Sequence, residues 1–201
     1  VGSDFGPGSL TTSGYPRVSR IWTRGTPLEK SETLFEGEPT DVAVAAFRDH
    51  TKGFERDFVV RAVTFYTNEL FLRRDGKLVK IDKPDSANAS VHRDLLLLQL
   101  REDWAVSGRT NPAGALLATA FEAFLKGERR FELLFEPGER RSLDLFNPFS
   151  PTRHYILVNA LDNVKSSVYA IGRKDGRWVR EPLPGLPRLG TAQATAVDDE
   201  E

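Results

Sequence analysis

A period of about fifty residues constrains this chain more than any other feature of its sequence. Gly25, Gly76, Gly127 and Gly176 fall 51, 51 and 49 residues apart, and each separates short strand-like runs. Two of them complete Asp-Gly pairs, Asp75-Gly76 in LFLRRDGKLVKI and Asp175-Gly176 in SVYAIGRKDGRWVREPL, the dipeptide that favours a two-residue hairpin turn. A second series runs in phase with the first. DVAVAAF from Asp41, ASVHRD from Ala89, RSLDLF from Arg141 and GTAQATAV from Gly190 begin at intervals of 48, 52 and 49 residues. More apolar strands follow the first three: FVVRAVTFY (Phe58 to Tyr66), LLLLQL (Leu95 to Leu100) and YILVNAL (Tyr155 to Leu161). They are apolar on both faces of the pleat, as buried strands are, and the strands after them alternate with charge, as outer strands do.

Four strands in each period is the pattern of a β-propeller blade. The expected fold class is therefore all-β, a partial β-propeller of about three and a half four-stranded blades. Complete blades are expected at about 41–83, 89–137 and 141–183, with partial blades at 1–37 and 188–201. Only ATAFEAFLKG (Ala118 to Gly127) reads as helical, and it is assigned to an insertion between two outer strands. The opening stretch GSLTTSGYPRVSRIWTRGTPL then becomes the outer hairpin of a truncated blade. A closed propeller has roughly four to eight blades, and the chain contains no Met. Both ends are expected to be cuts through a longer protein.

Charge and composition exclude several classes of function. The 28 basic and 29 acidic residues leave a net charge of -1, which offers no electrostatic footing for nucleic acid or an anionic membrane. The longest apolar run falls far short of the roughly 20 residues that a membrane helix needs, and no signal pattern opens the chain. With no Cys there is neither a disulfide framework nor thiolate chemistry, which leans towards a cytoplasmic location.

Candidate catalytic groups are sparse. No GxSxG elbow occurs. His50, His92 and His154 lie in different units without metal-ligand spacing, and are expected to be turn or surface residues hydrogen-bonded locally. Asp41, Asp49, Asp57, Asp94 and Asp198 cluster at strand ends, where Asp caps turns but where a propeller glycosidase would also carry its paired carboxylates. GPGS (Gly6 to Ser9) lacks the helix and lysine of a phosphate loop and reads as a turn. Arg17, Arg20 and Arg24 around Trp22 suit either a cation–π platform or side chains stacked across an outer strand. No catalytic residue, metal site or cofactor is expected in the chain.

Several strings taken together carry a family likeness: DFGPGSLTTSGYPR, WTRGTPL, VHRDLLLLQLREDW, PAGALLATAFEAFLKGERRFELLFEPGERRSL and LVNALDNVKSSVY. From Asp4 to about Asp199 the chain resembles the N-terminal propeller of the prolyl oligopeptidase family of serine peptidases, in a bacterial branch. The resemblance implies a seven-bladed propeller stacked on an α/β-hydrolase domain that holds the Ser, Asp and His triad, none of which has a counterpart here. It implies that the propeller is a lid and filter admitting short peptides, which the intact enzyme cleaves, after proline, through an acyl-enzyme. The implied partners are the hydrolase domain of the same parent protein and a short peptide substrate. Tyr15, Arg17, Trp22 and Arg24 are the candidates for lining the domain interface or the cavity. Two alternatives stay open from the residues alone: a propeller interaction scaffold, although WD-repeat signatures are missing, and a propeller glycosidase. A cut propeller is also expected to self-associate through its end faces, with Val42, Val44 and Phe47 at the first boundary, by twofold pairing of half rings.

Overall fold

The computed structural model describes residues 4–163, 165–186 and 190–197. It divides into two compact units after Ala89.

The first unit opens with β1 (Val18–Ile21) and β2 (Glu32–Glu36), an antiparallel pair closed by a wide connection that contains a 3-10 turn at Leu28–Lys30. A four-stranded antiparallel meander follows: β3 (Ala43–Asp49), β4 (Arg56–Ala62), β5 (Asn68–Arg74) and β6 (Lys77–Lys80). Val44, Phe58, Val59, Leu70 and Leu72 fill its core, and each such side chain contributes about 1.5–3 kcal/mol by leaving water. Charged groups also enter this unit's interior. Asp41, 2 % exposed, accepts from Arg61 Nε at 2.7 Å and Nη2 at 3.0 Å and from the Glu38 N–H at 2.7 Å. Burial pushes the Asp41 carboxyl up, but the hydrogen bonds from Arg61 and Glu38 and the charge of Arg61 outweigh it and hold the group below its ordinary value. Arg61 continues to Glu69 at 3.3 Å, and Glu69 to Lys80 at 2.5 Å. Lys83, also buried, donates to the carbonyls of Asn68, Pro84 and Ala87, while burial pushes its ammonium down to about 8.

The second unit carries the next two blades. In the first of them the order across the sheet is β12-β11-β8-β7, from β7 (Asn88–His92), β8 (Leu95–Gln99), β11 (Leu116–Ala120) and β12 (Glu132–Phe135). An added hairpin, β9 (Trp104–Val106) and β10 (Arg109–Asn111), interrupts the run from β8 to β11. It folds back so that Ser107 Oγ donates to Arg129 O at 2.8 Å and Trp104 meets Phe131 edge-on at 5.0 Å. Helix α1 (Phe121–Leu125) sits between β11 and β12 and buries Phe121 and Phe124. The last blade is β13 (Arg141–Leu143), β14 (Phe149–Pro151), β15 (Tyr155–Asp162), β16 (Lys165–Lys174) and β17 (Arg177–Pro182). Both β13 and β14 pair with β15. One apolar core runs through this unit, including Leu97, Leu116, Leu134, Phe135, Leu143, Ile156, Val158, Ala160 and Ile171.

The sheets are the all-β blades of a partial propeller, and several sequence expectations need correction in detail. Asp75-Gly76 and Asp175-Gly176 are indeed two-residue turns, with φ of 51° and 75° in both pairs, closing Arg74 on Lys77 and Lys174 on Arg177. Gly127 holds the same place between outer strands but ends a helix: its N–H donates to Phe124 O and the next N–H, of Glu128, to Ala123 O. Gly25 lies in the wide β1–β2 connection. The strand expected at Phe58 to Tyr66 stops at Ala62, because Thr64 and Thr67 close a turn there and leave Phe65 and Tyr66 in solvent. RSLDLF breaks after Leu143, where Asp144 accepts from the N–H groups of Phe146 and Asn147 and turns Leu145 and Phe146 outward.

GTAQATAV has no strand ladder over 190–197; polar side chains hold its backbone instead. Ala192, Ala194 and Ala196 donate to Ser166 Oγ, Asn159 Oδ1 and Ser150 Oγ at 3.0, 2.8 and 2.9 Å. Asn159, 1 % exposed, also donates to Ala194 O at 2.9 Å, so its amide grips both polar groups of one residue. Asp198 lies outside the described residues. Val44, expected on an open face, is buried, while Phe47 is exposed and stacks on Phe58 at 5.4 Å.

Candidate functional site

In every four-stranded blade, one end carries the turn from the first to the second strand and the turn from the third to the fourth. Each unit has a cleft at that end of its own blades.

The cleft of the first unit, about 260 Å³, is lined by Arg20, Trp22, Phe47, Arg48, Asp57, Phe58 and Arg73 among others. Pairing in β3–β5 sets Arg48 opposite Asp57 and Asp57 opposite Arg73. The carboxylate of Asp57 therefore bridges two guanidinium groups, at 2.8 and 3.5 Å. Trp22 stands at the rim with its indole N–H donating to Thr26 O at 2.8 Å.

The expected interface residues are distributed unevenly around this cleft. Trp22 lines it. Tyr15 is exposed in a tight turn in which Thr11 N–H donates to its carbonyl and its own N–H to Thr11 Oγ1. Arg17 is turned inward: it donates to the carbonyls of Gly8 and Gly37 and pairs with Glu36 at 2.8 Å, fastening the opening loop to β2. Arg24 is exposed in the β1–β2 connection. Arg20, which lines the cleft with Trp22, stacks over the Phe5 ring at 4.3 Å.

The cleft of the second unit is larger, about 420 Å³, and was not foreseen in the sequence. His92, Arg93, Asp94 and Leu95 supply one wall, Thr152 to Ile156 a second, and Arg173 with Trp178 a third. His92 Nε2 lies 3.0 Å from Thr152 O, which ties the two turns together; its partner is 60 residues away rather than local as expected. Arg93 adopts a φ of 52°, the left-handed conformation that the two-residue β7–β8 turn requires. The β14–β15 turn is closed by Thr152 N–H on Tyr155 O at 2.7 Å and by Tyr155 N–H on Thr152 Oγ1 at 3.1 Å, so Arg153 and His154 are displayed at its tip. The Tyr155 ring packs against Gly172, its cross-strand partner. A Cβ at that glycine would stand 2.8 Å from Tyr155 Cδ1. Arg173 stacks on Trp178 at 4.8 Å and pairs with Glu132 at 3.2 Å. A glycine inside a strand pattern was the one signal that a ring approaches here.

The other expected groups have structural tasks. Asp41 is locked to Arg61, Asp57 bridges two arginines, and Asp49 Oδ1 accepts the Thr51 N–H. Ser9 N–H donates to Gly6 O, which closes GPGS as a turn. Among the described residues no group of three or more His, Asp or Glu side chains is placed to hold a metal ion.

No family model matches the chain. Two curated proteins do. The chain is 28% identical over its whole length to an uncharacterized peptidase of Sinorhizobium fredii, and 27% identical over 96% of its length to an uncharacterized peptidase of Rickettsia prowazekii. It spans about 28% of the length of each. Among solved structures it superposes on a post-proline cleaving enzyme from Rickettsia typhi with a TM-score of 0.78 at 24% identity, covering 89% of this chain and 27% of that one. The chain has the fold of a prolyl oligopeptidase propeller. A second structure, from a study of two prolyl endopeptidases, matches with a TM-score of 0.54 at 15% identity over 83% of this chain. The likeness of the sequence strings to the prolyl oligopeptidase family is thereby borne out, and the blades correspond to a part of those larger enzymes.

Proposed function

We propose that this chain is the non-catalytic, substrate-filtering propeller portion of a prolyl oligopeptidase-like serine peptidase that cleaves short peptides after proline. The match of 89% or more of the chain to about a quarter of two peptidases and of a post-proline cleaving enzyme carries this proposal. In it, the triad and its oxyanion donors belong to an α/β-hydrolase domain of the same parent protein, and the blades limit what reaches them. Exposed Tyr15, Trp22 and Arg24 face that domain or the cavity, with Arg24 available for carboxylates across the boundary, while Arg17 keeps the segment in shape.

The isolated 201-residue chain is expected neither to hydrolyse a prolyl amide nor to be labelled by a fluorophosphonate probe. The longer gene product is expected to do both. Labelling of the isolated chain, or a longer product that cleaves peptides with no response to the probe, would overturn the proposal.

A further inference from the structure

The geometry points to the 420 Å³ cleft of the second unit as a binding site for a peptide carboxylate attached to an apolar residue. It extends beyond the peptidase proposal and stands on this chain alone, so its failure would leave that proposal untouched.

Three arginines, Arg93, Arg153 and Arg173, line the cleft against the carboxylate of Asp94 in the lining and that of Glu132, which pairs with Arg173 from outside it. An excess of one positive charge remains, in a chain whose net charge is -1. A planar guanidinium matches a carboxylate in a two-pronged hydrogen bond. Apolar groups stand between these charges: Leu95, Ile156, the Tyr155 ring against Gly172, and the Trp178 indole under Arg173. An inorganic anion would use only the guanidinium groups. A carboxylate carried on an apolar residue would use both surfaces, and the volume falls in the range that holds a small ligand.

The walls are also fixed before any ligand arrives. The His92–Thr152 contact, the doubly closed Thr152–Tyr155 turn and the ring on Gly172 hold the aromatic and cationic groups in place. A preformed site loses less freedom on binding.

The test is calorimetric titration of the full chain with acetyl-Gly-Phe as free acid, acetyl-Gly-Phe-amide, acetyl-Glu-Phe-amide and inorganic phosphate. The free acid is expected to bind at least about tenfold more tightly than the amide that lacks any carboxylate, which is about 1.4 kcal/mol. Binding of acetyl-Glu-Phe-amide as well would assign the site to side-chain carboxylates in addition to terminal ones; its failure to bind would restrict the site to the terminus. Arg153→Gln, at an exposed turn tip where folding is not at stake, is expected to weaken the free acid about tenfold, and Arg153→Lys to recover part of the loss. Arg20→Gln, in the other cleft, is expected to change nothing. Equal binding of acid and amide, no binding of either acid, tighter binding of phosphate than of peptide, an unchanged Arg153→Gln, or a loss in Arg20→Gln would each overturn the assignment.

Discussion

In the β3–β6 blade, charged side chains reach the interior. Asp41 is buried against Arg61, Glu69 links Arg61 to Lys80, and Lys83 is enclosed by three carbonyls. In the blade of β7, β8, β11 and β12, the corresponding space holds Leu96, Leu97, Leu98, Leu116, Leu117, Phe121, Phe124 and Phe135. The same strand order is thus held together in two ways. A buried ion pair adds little net stability over an apolar filling of the same volume, but it fails badly when one partner is removed. The two units should therefore differ in what breaks them more than in how they look.

The largest expected effect is that of Arg61→Leu, which leaves Asp41 buried without its partner and should cost the first unit about 3–5 kcal/mol. Residue-resolved hydrogen exchange should show the loss in β3–β6 and little change in β15 and β16. Adding Asp41→Val to it should return much of the loss, since no charge then remains to be buried. Acid tests the same clamp. The Asp41 and Glu69 carboxyls are held below their ordinary values of 3.8 and 4.5, Glu69 chiefly by the Lys80 hydrogen bond. Their contribution is complete above those values and is lost as pH falls through the lower, folded ones. A pH titration of stability should find the first unit weakening below about pH 4, and no weakening there would contradict the clamp.

Leu97→Ala is the matching change in the second unit. The side chain is fully buried, and the cavity should cost about 2–5 kcal/mol in denaturant unfolding. Asn159→Ala should cost about 1–3 kcal/mol, because Ala194 loses the partner of its N–H and the shorter of the two donors to its carbonyl, leaving only Asn147 Nδ2 at 3.4 Å. Exchange at Ala194 should rise far more than exchange in β16. Gly76→Val should have the smallest effect, about 1–2 kcal/mol, from a β-branched residue forced to a φ of 75°. Similar protection of β5 and β6 in variant and parent would show that the turn contributes little.

The leucine-filled blade was the more legible in sequence. LLLLQL announces a buried strand by composition alone, whereas Ala118 to Ala120, expected to open the helix, continue strand β11 and the helix starts at Phe121. In the two neighbouring blades Asp-Gly pairs specify turns without help from the rest of the fold. Legibility ended wherever a side chain replaced a backbone partner. Asp144 broke an expected strand by capping a turn, and Ser150, Asn159 and Ser166 took the place of a strand ladder for residues 190–197. The clefts were least legible of all. Arg93, Arg153 and Arg173 lie far apart in the chain and meet only because equivalent turns come to the same end of the blades. Trp22 was recognised, but its arginine neighbours Arg48 and Arg73 come from other strands.

Filtering by the blades is most directly tested by substrate length. In the proposal, intact blades exclude long chains from the hydrolase domain, so the longer gene product should cleave a short prolyl peptide and spare an unfolded full-length protein. The Arg61→Leu form, with its β3–β6 blade loosened, should cleave the long substrate while retaining activity on the short one. A parent enzyme that degrades both substrates at similar rates, or an Arg61→Leu form whose length preference is unchanged although hydrogen exchange shows β3–β6 open, would contradict the filtering role.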